Sequence, residues 1–170
     1  MGIQMILCLE TNKRANTDYI YIKEVLEYLY QQNNQIKISI VYMNTKSKYQ
    51  CKNVLREIER KTRDYVHGET KVIYCIDTDN YEKNAKHAAE FSEIQQFCER
   101  NGYDLIWFCH DVEEVFLGKK IPDSSKVQEA GAFRRKNRIA KLSLNELSRN
   151  TMGACHSNIL NVLDKYLIRK

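Results

Sequence analysis

Apolar residues gather in four short blocks: Ile3–Leu9 (IQMILCL), Ile36–Met43 (IKISIVYM), Val72–Ile76 within KVIYCIDTDN, and Leu105–Cys109 (LIWFC). Between them, apolar positions recur every three or four residues. Ile22, Val25, Leu26 and Leu29 form one such series, Cys51, Val54, Leu55, Ile58 and Tyr65 a second, and Ala85, Ala88, Phe91, Ile94 and Cys98 a third. Short apolar runs bounded by polar residues suit strands covered on both faces, and spacings of three and four suit helices. The spacing predicts helices over Asp18–Gln31, from Cys51 to near His67-Gly68, and from Ala85 to a C-cap at Gly102. A short helix over Val112–Leu117 is closed by Gly118.

The order is therefore β-α-β-α-β-α-β. It predicts an α/β fold: a mostly parallel four-stranded sheet with helices on both faces, followed by C-terminal helices. After Pro122 the pattern weakens. Ser124–Arg138 is basic and interrupted by Gly131, Ser143-x-x-Glu146 has the form of a capping box, and Asn158–Leu167 reads as an amphipathic helix. Pro122 marks the expected boundary between a core over residues 1–118 and a basic helical extension over 119–170.

Composition narrows the class. At 170 residues with 43% apolar content the chain suits one domain with its own core. No apolar run approaches the roughly 18 residues that span a bilayer. Met1-Gly2-Ile3 leads straight into a strand-like run without a secretory signal, so a cytoplasmic location is expected. The six cysteines include no CxxC and no His–Cys spacing of a zinc motif; they read as small buried hydrophobes in a reducing compartment. The net charge of +5 is uneven. From Lys119 onward 12 Lys+Arg face 4 Asp+Glu, a net of +8, leaving 15 against 18, a net of −3, before it. A basic tail beside an acidic core suits a metal centre flanked by a polyanion surface, or simply solvated helices.

The candidate chemistry sits where strands end. Ligands of open parallel sheets bind beyond the carboxyl ends of the strands. Asp77 and Asp79 follow the third strand, Glu10 ends the first, and Asp111, Glu113 and Glu114 follow the fourth. Crowded carboxylates repel one another, and a divalent cation relieves that repulsion. Mg²⁺ or Mn²⁺ suits an all-oxygen site and supports phosphoryl chemistry. The plain alternatives are that Asp77 and Asp79 cap a turn and that Asp111-x-x-Glu114 caps a short helix. His110 adjoins Asp111 at a strand end and is a candidate substrate contact.

A strand ending in Glu, then helix, strand, and a strand ending in DxD resembles the TOPRIM domain. The closest likeness is to small RloB-like and overcoming-lysogenisation-defect-type TOPRIM proteins of bacterial defence systems. It rests on ETNKRANTDYIYIKEVL from Glu10, VIYCIDTD, and WFCHDVEEVFLG from Trp107, and covers residues 3 to about 118. Thr11 stands where the family usually has Gly, and Asp18 where it has Glu. The resemblance implies catalytic Glu10, Asp77 and Asp79, a Mg²⁺ or Mn²⁺ site of Glu10, Asp77, Asp79 and Glu114, and metal-dependent cleavage of DNA or RNA in anti-phage defence. The partners it implies are nucleic acid and an ABC-type ATPase, and it allows a second copy of the chain. Lys13, Arg14, Arg134, Arg135, Lys136 and Arg138 are the expected nucleic-acid contacts; Phe133–Arg138 interleaves an aromatic with basic residues. Two rival readings remain: a non-catalytic TOPRIM-like module that binds nucleic acid or a protein, and a haloacid-dehalogenase-like phosphatase with Asp77 as nucleophile.

Overall fold

The computed structural model describes residues 2–170. Strands β1 (Gly2–Leu9), β2 (Ile36–Tyr42), β3 (Gly68–Asp77) and β4 (Asp104–Cys109) lie parallel, in the order β2-β1-β3-β4. A fifth strand, β5 (His156–Ser157), joins β4 antiparallel, so the sheet has five strands rather than the four expected. Two residues carry too little periodicity to read as a strand.

Both faces are covered, which is why the strands read as continuous apolar runs. Met5, Leu7 and Leu9 face one core, with helices α1 (Thr17–Leu29), α4 (Val112–Leu117) and α5 (Lys126–Arg135). Ile6 and Cys8 face the other, under α2 (Lys52–Arg63) and α3 (Ala85–Asn101). The caps follow elementary chemistry. The Asn84 side chain accepts from the amides of Lys86 and His87 at 3.0 and 3.3 Å, and Gly102 ends α3 at φ 66°. Asp111 accepts from the amide of Glu114 at 2.7 Å at the start of α4, and Gly118 closes it at φ 72°.

Beyond Gly118 the expectations need correcting. Helix α5 runs through Gly131, whose missing side chain weakens the helix without stopping it. Ser143 and Glu146 form a backbone turn, Glu146 N–H to Ser143 O at 3.2 Å, and no capping box. The last helix, α6, covers only Ile159–Leu163. This tract completes the first core. Phe133 is fully buried, edge-on to Tyr21 at 5.0 Å and to Phe116 at 5.7 Å. It also finishes the sheet. Asn158 accepts from the amide of Trp107 and donates to the carbonyl of Leu105, both at 2.9 Å, and the Ser157 hydroxyl donates to the carbonyl of Trp107 at 2.7 Å. No described helix is long and apolar enough to cross a membrane.

Candidate functional site at the carboxyl edge of the sheet

Parallel pairing puts the ends of β1, β3 and β4 on one edge. Leu9 pairs with Cys75, and Asp77 with Phe108, so Glu10 and His110 flank the end of β3. The Glu10 Oε1 accepts from the amide of Asp77 at 2.6 Å. The Asp77 Oδ1 accepts from the amide of Val112 at 3.0 Å, tying β3 to the start of α4. The chain then turns back on β4: Thr78 N–H donates to Phe108 O at 3.0 Å and Asp79 N–H to His110 O at 2.9 Å. Asp79 makes that turn in the left-handed region, at φ 49°. Asp and Asn tolerate that region better than other residues with a side chain.

Lys46, in the loop after β2, reaches into this edge. Its side chain is buried, its ammonium donates to the carbonyl of Asp77 at 2.8 Å, and it also pairs with the Asp79 carboxylate. A second lysine, Lys126 of α5, lies 3.1 Å from a carboxylate oxygen of buried Glu113. Glu113 in turn acts on Asp18, which is buried at the first turn of α1.

The edge holds more acid than base. Glu10, Asp18, Asp77, Asp79, Asp111 and Glu113 influence one another, with Lys46 and Lys126 as the opposing charges. Burial raises the Glu10 carboxyl to about 8, only partly opposed by Lys46 and by the Asp77 amide. Burial and Glu113 raise Asp18 to about 7. Burial, then Glu10 and Asp18, push Asp77 well above the carboxylate range. Burial favours the neutral acid, and neighbouring carboxylates add to it. The lysines respond in the opposite sense. Burial alone would lower Lys46, yet Glu10 and Asp79 hold it above its ordinary value.

The residues singled out from sequence fall into three places. Glu10, Asp77 and Asp79 come together at the edge. Glu114 turns away from them, and both its oxygens lie 3.1 Å from His110 Nδ1, while its neighbour Glu113 faces Asp18 and Lys126. One helical residue separates two sides of α4, so neighbouring glutamates cannot share a site. The basic candidates lie on the surface. Lys13, Arg14, Arg135 and Lys136 are exposed, while Arg134 pairs with Glu24 at 3.3 Å and Arg138 with Glu129 at 3.2 Å. Lys46 and Lys126 are not among the residues the sequence singles out. The one signal for Lys46 is its position just past β2, whose end shares this edge.

Three carboxylate oxygens do not converge at the edge. Among the described residues, the only His, Cys, Asp or Glu group whose ligand atoms all lie within 4.8 Å is Glu82, Cys109 and His110, which could hold a metal ion. The Nε2 of His110 faces the Glu82 oxygens at 2.9 and 3.0 Å. Cys109 is buried at the end of β4, where burial raises its thiol and the nearby Thr78 side chain opposes that rise. No protein-family model, curated protein or solved structure matches the chain.

Proposed function

We propose that the carboxyl edge is the active site of a metal-dependent nuclease that cleaves phosphodiester bonds. The observation that supports this most is the surplus of carboxylates at one sheet edge, with Glu10, Asp18 and Asp77 all shifted upward. A surplus of that kind lacks positive charge, and the donors are oxygens, which suit Mg²⁺ or Mn²⁺. The hydroxyl of Thr11 beside the cluster is buried without a partner, so polar capacity is left over for a guest. Asp77 and Asp79 would hold the ion, which would displace the Lys46 ammonium from Asp79 and draw together oxygens that stand apart without it, while Glu10 stays beside them as a proton carrier. Once bound, the ion would supply charge for the phosphate oxygens as the bond breaks.

The chain's own residues divide the remaining work. With its carboxyl near 8, Glu10 can carry a proton at neutral pH and hand it to a leaving oxygen. Lys46 fixes Asp79 and the end of β3, and its ammonium can meet a phosphate oxygen. Exposed Lys13, Arg14, Arg135 and Lys136 would steer the polyanion. The resemblance to small TOPRIM proteins of phage defence adds an ABC-type ATPase and a second copy as candidate partners.

The place of Lys46 favours a second reading. An ammonium already sits on Asp79 and the Asp77 carbonyl, as it would in a module that binds without cleaving. One experiment separates the two. Wild type and Asp77→Asn are incubated with labelled DNA and RNA and with a generic phosphatase substrate, in Mg²⁺, Mn²⁺ or EDTA. Nuclease chemistry predicts cleavage by wild type that EDTA and Asp77→Asn both abolish. Cleavage that persists in EDTA, or full activity in Asp77→Asn, would remove the metal assignment. Binding without cleavage would leave the module.

A further inference from the structure

We propose that Glu82, Cys109 and His110 bind Zn²⁺, or another borderline-soft divalent ion, at a site separate from the all-oxygen edge. The donor set is one sulfur, one imidazole nitrogen and one carboxylate oxygen, all within 4.8 Å. Zinc takes such ligands at roughly 2.0–2.3 Å, so a tetrahedral ion needs only a modest contraction of the group. Three protein ligands leave the fourth position for water. Hard Mg²⁺ disfavours thiolate, so the two sites select different ions.

Three further observations point to a ligand here. Glu114 holds His110 Nδ1 with both oxygens at 3.1 Å, which turns Nε2 toward Glu82. A carboxylate on the far nitrogen is the usual support of a zinc-bound histidine, because it fixes the ring and its tautomer. The Thr78 hydroxyl is fully buried and lies toward the Cys109 sulfur, its polar neighbour there. It is placed to donate to a metal-bound thiolate. Glu82 has a side chain 42% exposed and stands on the loop after β3, so it can swing aside to admit the ion. Tyr81 packs against the same group, its ring 6.3 Å from that of His110.

The ion would tie the loop after β3 to the end of β4. The Asp79 amide already donates to the His110 carbonyl at 2.9 Å, so the same bond would link the zinc site to the turn that carries Asp79. This inference does not depend on nuclease activity. Its measurements involve no substrate.

The test is a titration of the metal-free full chain with Co²⁺, followed by displacement with Zn²⁺ in competition with a chromophoric chelator. Wild type should bind one ion per chain at the thiolate site, read by a thiolate-to-cobalt charge-transfer band and the strong visible bands of four-coordinate cobalt, which an ion at the all-oxygen edge does not give. Cys109→Ser should lose the charge-transfer band. Glu82→Gln should weaken zinc at least about ten-fold, and Glu114→Gln by about 10–100-fold while keeping the band. Asp79→Asn should change neither band nor affinity. Because Cys109 is in the core, circular dichroism accompanies each variant, and exposed Glu82→Gln decides the matter if Cys109→Ser misfolds. Absence of a charge-transfer band in wild type, or zinc affinity unchanged in Glu82→Gln, would overturn the site. So would zinc binding that Asp79→Asn abolishes, since the ion would then belong to the acidic edge.

Discussion

Replacing Glu10 by Gln should make the protein more stable in alkali and leave it nearly unchanged in acid. The amide keeps an oxygen to accept from the Asp77 N–H, now at 2.6 Å, and removes the titrating proton. In the folded chain Glu10 moves from an ordinary 4.5 to about 8. Between those values the folded state holds a proton that the unfolded chain has released. Stability therefore falls as pH rises through this window, and the penalty is complete above about 8. The whole shift corresponds to about 5 kcal/mol. Glu10 keeps some access to solvent and shares its proton with Asp77 and Asp18, which brings the expected gain to about 1–3 kcal/mol. For a chain of this size that is a Tm increase of about 3–10 °C. Calorimetry of both proteins in EDTA at about pH 5 and pH 9 measures it. A Tm difference that does not widen with pH, or that favours wild type at the higher pH, would refute the placement of a strained carboxyl at Glu10.

Lys46→Met removes a buried counter-charge, so it should cost about 2–4 kcal/mol at alkaline pH and less in acid, with Mg²⁺ restoring more stability to the variant than to wild type; equal losses at both pH values would count against it. Phe133→Ala should cost about 3–5 kcal/mol in a single unfolding transition, because the ring joins α5 to Tyr21 and Phe116; two separate transitions in calorimetry would mean that the residues after Gly118 fold apart. Serine at Arg134, Arg135 and Arg138 should weaken nucleic-acid binding and lower its salt slope by roughly 0.7–0.9 for each phosphate no longer neutralised; an unchanged slope would leave those arginines as surface partners of Glu24 and Glu129.

Strand ends and helix caps are legible because short-range chemistry sets them. A run such as VIYCI suits a buried strand, and Asp111 before Val112 or Gly102 after Asn101 marks a helix end without help from the rest of the fold. That Glu10, Asp77 and Asp79 share one edge also follows, since parallel crossovers place strand ends together; how far apart their oxygens stand there does not. Lys46, Lys126 and the Glu82–Cys109–His110 group are not legible. Each depends on proximity between residues far apart in the chain, with no spacing to announce it. The tract after Gly118 is less helical than its periodicity suggests. Its turns are held by long-range bonds such as those of Asn158, which local periodicity does not register.

The way Asn158 meets β4 has a consequence for the company this protein keeps. Its amide group imitates a peptide unit, satisfying one donor and one acceptor that the outermost parallel strand would otherwise show to solvent. An open row of such groups recruits other chains. That cover lies 51 residues downstream of the strand it protects. Asn158→Ala would therefore keep every parallel strand and the buried tract after Gly118 while opening one donor and one acceptor of β4. This variant should self-associate through β4, and the concentration at which it does so measures how much solubility a single asparagine confers.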